Sequence, residues 1–236
     1  MSNEVLKFYD NDTFKTDTYE ALSSQFEDRE TFEEYYSHLN NDQVKDDFLR
    51  VGSAYLFFVK AGDWHVNVKR SNSVISYFTN SFKLVSTLSI TEGLNNKKHI
   101  DFFQWLNKKE NRNLFPIANK KDLQQHYSLY KTEYGSIHNV KDFFNSLSEK
   151  TKLHLCKLVT VNGNDIENIE ELIKLIYSAR SNFAHSTKHT LEFSDCLHYS
   201  GTAKKQIVWK KFKLEYLLSA VEEGIFLHFK KLSKSA

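Results

Sequence analysis

The chain reads as a mostly α-helical protein. Apolar residues recur at three- and four-residue steps through most of the 236 positions, the spacing of a helix with one buried face. Strand-like alternation is confined to 64–69 and to the stretch around 190–212. Capping residues or glycines sit at the ends of the periodic segments. One proline and seven glycines rule out a collagenous or Pro/Gly-rich disordered chain.

Taken in order, residues 1–25 are polar with scattered Phe and Tyr. They read as a loose start with room for a short helix or strand packed on the body. Residues 28–39 (DRETFEEYYSHL) form an acidic helix with Phe32, Tyr35, Tyr36 and Leu39 inward. Asn40-Asn41-Asp42 makes a turn that also caps the next helix. That helix, 43–60, buries Val44, Phe48, Val51, Tyr55 and Val59, with Leu56 and Phe58 widening the face. Ala61-Gly62-Asp63 stops it. The alternation in 64–69 (WHVNVK) is a short strand or an extended linker. Residues 71–91 form a second long helix through Val74, Ile75, Phe78, Phe82, Val85 and Leu88, ended by Glu92-Gly93. The stretch 61–72 is the boundary candidate. It divides the chain into a mainly helical N-terminal extension (1–70) and a helical domain (71–236).

Within the second part, 97–109 is a short helix through Ile100, Phe103, Trp105 and Leu106. Residues 108–113 are a charged loop, and 122–134 is a helix closed by Gly135. Its Tyr127, Tyr130 and Tyr134 stand at helical spacing, the pattern of core packing. A base-stacking platform is the alternative. Short helices follow over 140–147 and 149–158. After 189, residues 190–199 and 205–212 read as extended segments about a Ser200-Gly201 turn, a small two-stranded ribbon. A closing helix over 214–232 presents Leu217, Leu218, Val221, Ile225 and Leu227. It leads to a basic tail with Lys230, Lys231 and Lys234.

The most informative stretch is 166–189, IENIEELIKLIYSARSNFAHSTKH. Ile169, Leu172, Ile173, Ile176, Ala179 and Phe183 make one apolar stripe. Asn164 or Asp165 can cap its start, with Glu167 in the capping-box position after Asn164. Arg180 falls inside that stripe, four residues after Ile176 and three before Phe183. A guanidinium cannot shed its charge, and burying it unpaired is costly. It therefore needs an anion or a cleft. His185 lies five residues on, about 140° further round a continuing helix. Ser186 and Thr187 continue helices poorly, so the helix is expected to end near Ala184. The imidazole can then swing back toward the guanidinium. Asn182 and His185, three apart, can be neighbours on the last turn.

An arginine, four residues and a histidine at the end of a helix, in the C-terminal half of a helical chain, resembles the HEPN superfamily (higher eukaryotes and prokaryotes nucleotide-binding). Residues 176–186 (IYSARSNFAHS) look most like its Apea-like branch. Of the five arginines, Arg180 alone has a histidine at that distance. The resemblance is strong over 165–190, loose over 75–230 and absent from the first 70 residues. It implies a HEPN-like helical bundle over 71–236. It further implies a metal-independent endoribonuclease that works as a homodimer, with the motifs of two subunits facing one another. Many members carry Asn, Asp or His directly after the arginine. Here Ser181 stands there, with Asn182 one later.

The chemistry needs no metal or other cofactor. RNA supplies its own nucleophile, the 2′-hydroxyl, and cleavage leaves a 2′,3′-cyclic phosphate and a 5′-hydroxyl. An imidazole with an ordinary pKa of about 6.5 takes or gives a proton near neutral pH. A fixed guanidinium holds phosphate oxygens and the charge that grows in the transition state. In this reading His185 is the general acid/base, Arg180 the phosphate contact, and Asn182 orients His185 or the phosphate. Ser181, Ser186 and Lys188 are weaker substrate-binding candidates. Glu92 and Glu133 are candidates to hold Arg180 between substrates. The alternatives are a structural carboxylate for Arg180 and a cation at a helix C-terminus for His185. A HEPN-like module that binds RNA or nucleotide, or assembles as a dimer, without cleaving is the other function to weigh. The implied partners are RNA, a second copy of the chain, and an antitoxin or defence partner if the protein is a toxin or antiviral effector.

Composition limits the rest. Net charge is +2 with pI about 8.3, too balanced to announce a nucleic-acid binder. Cys156 and Cys196 show no metal-finger spacing, and the ten histidines show no ligand pattern, so no metal is expected. No basic-then-apolar leader and no membrane-length apolar run is present, so a cytoplasmic location is expected.

Overall fold

Why the N-terminal segments form helices is visible in their caps. The computed structural model describes residues 6–62, 75–94, 100–188, 191–202 and 204–234. Helix α1 (Asp12–Leu22) starts where the Asn11 side chain accepts from the Thr13 and Phe14 amides. Helix α2 (Arg29–Ser37) starts at an Asp28–Thr31 capping box, and α3 (Asp42–Tyr55) at Asn41. Of the forms open to the polar start, the short helix packed on the body is the one taken over Asp12–Leu22. It packs on α3 where Gly52 lets Thr18 approach so closely that a Cβ would collide with it. Residues 56–60 continue α3 as one wide turn, with the Ala61 amide donating to the Leu56 carbonyl. Phe57 and Phe58 are left exposed. The alternating stretch 64–69 lies outside the described residues.

Helix α4 (Ile75–Gly93) and α9 (Ile169–Ser186) pack on one another and on α7 (Ser136–Asn145). Phe183 meets Phe82 edge-on at 5.3 Å. Helix α8 (Glu149–Lys157) covers α9 from another side. The closing helix α10 (Leu214–Leu232) touches α1, α3, α4, α7 and α8. Tyr35 stacks on Phe226 at 4.9 Å and donates to the Phe226 carbonyl. Phe48 meets Phe229 at 5.1 Å. The hydrophobic core therefore runs unbroken from Ala21 and Phe32 to Ile225 and Phe229. Residues 1–70 and 71–236 share this core, and the expected boundary separates no two cores among the described residues.

The stretch around residue 110 departs from expectation. Helix α5 is only Phe102–Leu106, and a 3₁₀ segment, Lys109–Leu114, replaces the charged loop. Helix α6 (Lys120–Tyr134) contains no buried residue. The tyrosine series is consequently not core packing. It is a partly exposed ladder, with Tyr127–Tyr130 and Tyr130–Tyr134 stacked at 6.0 and 5.9 Å.

The expected two-stranded ribbon is half of a four-stranded antiparallel sheet ordered β2-β1-β4-β3. Strands β1 (Val159–Val161) and β2 (Asn164–Asp165) form a hairpin around Asn162-Gly163, both at positive φ, the backbone a two-residue hairpin turn requires. Strand β4 (Lys205–Lys210) pairs with β1 and with β3 (Leu197–Thr202). The chain runs straight through Ser200 and Gly201 and turns only after Thr202, which pairs with Lys205. Residues 191–196 are not strand. No described helix is long and apolar enough to cross a membrane.

Candidate functional site around Arg180

Because Asn164 and Asp165 are used in β2, the start of α9 falls to Asn168, whose side chain accepts from the Glu171 amide at 2.9 Å. The predicted capping at Asn164 or Asp165 is thereby replaced. The apolar stripe is as expected: Ile169, Leu172, Ile173, Ile176, Ala179 and Phe183 are all buried. At the other end the helix does not stop near Ala184. It runs through His185 to Ser186 and ends on Thr187, the capping residue, in the left-handed conformation at φ 52°. The Thr187 amide donates to the Phe183 carbonyl and the Lys188 amide to Asn182, which closes the last turn.

That extension decides where the motif points. With five residues of regular helix between them, the Arg180 and His185 side chains leave α9 about 140° apart. Arg180 turns inward, its side chain 19% exposed, while His185 is exposed. The imidazole does not swing back. It has no hydrogen-bond or ionic partner among the described residues, and Asn182, half-buried one turn earlier, makes no side-chain hydrogen bond there either.

Arg180 meets an anion, and it is Glu92, near the end of α4. Nη2 and Oε1 lie 3.6 Å apart, close enough for an ion pair and too long for a hydrogen bond. The guanidinium sits over the Tyr177 ring at 5.3 Å and donates weakly to its hydroxyl at 3.5 Å. Arg180 Nε and Glu92 Oε1 are both buried without a hydrogen-bond partner. Burial pushes the Glu92 carboxyl above the ordinary carboxylate range, against the pull of Arg180 and Tyr177. Burial, and secondarily the Glu92 charge, also raises the Tyr177 phenol. The Ser136 side chain, at the start of α7, stands beside that phenol.

Of the remaining candidates, Glu133 is placed elsewhere: it accepts from the Trp105 indole at 2.9 Å and does not reach Arg180. Ser186 spends its hydroxyl on the Asn182 carbonyl at 2.8 Å. Ser181 is half-buried on the last turns, and Lys188 is exposed just past the cap. Tyr177 is the residue that sequence reasoning passed over. The signal was present, since a position three before Arg180 on a helix lies against it. Among the described residues no cluster of three or more His, Cys, Asp or Glu is arranged to hold a metal ion.

Fold and site together define a mostly helical protein with a small antiparallel sheet and an arginine–glutamate pair under a tyrosine, one face round from an exposed histidine. No protein-family model, curated protein or solved structure matches the chain.

Proposed function

We propose that the protein is a metal-independent endoribonuclease of HEPN type, with Arg180 as phosphate contact, His185 as general acid/base and Asn182 as the orienting amide. The observation that carries this reading is the poor fit of the Arg180–Glu92 pair. A buried guanidinium normally satisfies its fork with a bidentate carboxylate. Here the carboxylate gives one ionic contact of 3.6 Å, from Oε1 to Nη2, and neither that oxygen nor Nε has a hydrogen bond. An unused donor on a partly buried cation suits an incoming phosphate, which brings the oxygens Glu92 does not present. Glu92 then serves as the resting counter-charge.

In the reaction a base takes the 2′-hydroxyl proton. The 2′-oxygen forms a bond to phosphorus, the bond to the 5′-oxygen breaks, and an acid protonates the leaving oxygen. One imidazole does one of these jobs. With His185 about 140° from Arg180 on α9, a second copy of the chain is the natural source of the missing group, hence a homodimeric site. A toxin or defence effector held by an antitoxin or partner protein is the biological setting this activity suits.

The test is incubation of the purified chain with RNA in EDTA. Wild type yields 2′,3′-cyclic phosphate ends, and His185→Ala and Arg180→Ala each lower the rate at least 100-fold, the scale of a lost acid–base or charge-stabilising group. Equal behaviour of wild type and His185→Ala would remove the assignment. One observation favours a second reading, a HEPN-like module that binds RNA or assembles without cleaving: nothing among the described residues fixes the tautomer or orientation of His185. That reading predicts RNA binding that survives His185→Ala, with no cyclic-phosphate ends.

A further inference from the structure

Between α5, the 3₁₀ segment and α6 lies an apolar cleft of about 580 Å³, away from the Arg180–Glu92 pair. Phe102, Phe103, Phe115, Leu123 and Tyr127 line it, with Asn107 and Gln124 among its few polar groups. Phe103 is 74% exposed and Phe115 51%. Trp105 and Leu106 are the buried residues of this helix pair, and α6 adds none, so the open faces of Phe103 and Phe115 are not explained by folding.

The surroundings indicate what covers them. Between residues 108 and 121 the sequence carries five cations and one carboxylate, and that carboxylate, Glu110, pairs with Lys108. Lys109, Arg112, Lys120 and Lys121 are exposed and have no carboxylate partner among the described residues. Lys131 stands over the Tyr127 ring at 4.5 Å. Another apolar cleft, between α3 and α4, has no such rim: the one cation among its described lining residues, Arg50, is paired with Asp47. Exposed aromatics beside unpaired cations are the two parts of a surface for single-stranded nucleic acid. Bases stack on the rings, and the phosphates meet the charges.

We propose that this cleft docks single-stranded RNA, with bases stacked on Phe103, Phe115 and Tyr127 and the backbone neutralised by Lys109, Arg112, Lys120 and Lys121. The choice of RNA as the polyanion rests on the ribonuclease reading. The cleft and the arginine are joined by a short path. Tyr134 ends α6 about 10 Å along the helix from Tyr127, Gly135 makes the turn, and Ser136 stands beside Tyr177, against which Arg180 packs. A strand anchored on α6 can therefore be presented to Arg180 while its ends remain free.

The experiment is fluorescence anisotropy of short labelled oligouridine and oligoadenosine on the full chain carrying His185→Ala, in EDTA, over a range of salt. Phe103→Ala with Phe115→Ala weakens binding about ten-fold and leaves the salt dependence in place, because stacking is uncharged. Lys120→Gln with Lys121→Gln flattens the slope of log Kd against log salt by about 1.4, two phosphate contacts on a single strand. Both substitution pairs lie on exposed positions, and circular dichroism confirms that each variant is folded. Unchanged affinity and slope in both variants overturns the proposal. So does light scattering that shows the phenylalanine variant losing an oligomer while its RNA affinity stands, which makes the cleft a protein contact. A failure here leaves His185-dependent cleavage intact. A failure of the ribonuclease reading leaves binding at the cleft measurable with no cleavage by wild type.

Discussion

Glu92 and Arg180 form an ion pair that is buried enough to be costly and matched too poorly to repay that cost in full. A buried pair with good geometry loses about 3–5 kcal/mol when one partner is removed. This one, at 3.6 Å with two polar atoms unmatched, should couple far more weakly. A double-mutant cycle on urea unfolding with Glu92→Gln and Arg180→Met is expected to return less than about 1.5 kcal/mol. A coupling of several kcal/mol would make the pair a structural fastener and take away the motive for a phosphate there. The pH dependence has a definite sign. Burial raises the Glu92 carboxyl in the folded chain, so the folded state holds that proton more tightly than the unfolded state does. Stability then falls as pH rises from the ordinary carboxylate value through the raised one, and is flat above it. Urea midpoints of wild type minus those of Glu92→Gln should decline across that window. A difference that grows with pH would contradict the burial of this carboxylate. Arg180 was legible in the sequence because a cation in an apolar stripe has few explanations. Glu92 was legible only as one of two candidates, since spacing along one chain does not say which distant carboxylate a fold brings in.

The end of α9 shows what an element can override. Ser186 and Thr187 are weak helix formers, and propensity alone stops the helix near Ala184. Two local bonds carry it further: the Ser186 hydroxyl donates to the Asn182 carbonyl, and Thr187 adopts φ 52° to close the last turn. A β-branched residue in that conformation is strained by roughly 1 kcal/mol, whereas glycine is not. Thr187→Gly is accordingly expected to stabilise the protein by about 0.5–1 kcal/mol, read as a higher urea midpoint with the m-value unchanged. A lower midpoint would mean that the Thr187 hydroxyl, which donates to the Ser186 carbonyl at 2.7 Å, outweighs the backbone strain. The same scale explains the missed hairpin. Asn162-Gly163 is among the strongest short-range turn signals, and the VTV before it suits a strand. Helical periodicity on both sides, over 149–158 and 166–189, hid β1 and β2. Strand β1 has its long partner in β4, where Val159 pairs with Trp209 and Val161 with Ile207, a separation that local pattern does not reveal.

At the scale of the molecule, the N-terminal helices are fastened to the last helix by a buried polar cluster as well as by rings. Glu222 of α10, 5% exposed, accepts from the Tyr55 hydroxyl at 3.2 Å and from Ser24, and pairs with Lys60 at 3.0 Å. Three elements of the first 60 residues thus converge on one carboxylate, beside the Tyr35–Phe226 and Phe48–Phe229 contacts. The helix stop at 61–63 and the alternating stretch after it suggested a boundary, but local pattern does not report which faces meet. Cutting there would bare Phe226 and Phe229 on α10, and would leave Glu222 without the three groups that satisfy it. A fragment of residues 71–236 is therefore expected to keep helical circular dichroism while losing a cooperative urea transition, and to bind hydrophobic dyes, the marks of a collapsed chain without fixed packing. In the full chain, Glu222→Leu is expected to cost about 2–3 kcal/mol. Tyr55 then keeps only the Leu218 carbonyl at 3.3 Å, and Lys60 keeps the Glu20 and Ala21 carbonyls but loses its counter-charge, while Glu222→Gln, which keeps an acceptor oxygen, costs less. If the fragment instead unfolds in one sharp transition with the m-value expected for its length, the first 70 residues are an appendage to an independent domain, and the shared core would not be what makes the chain one folding unit.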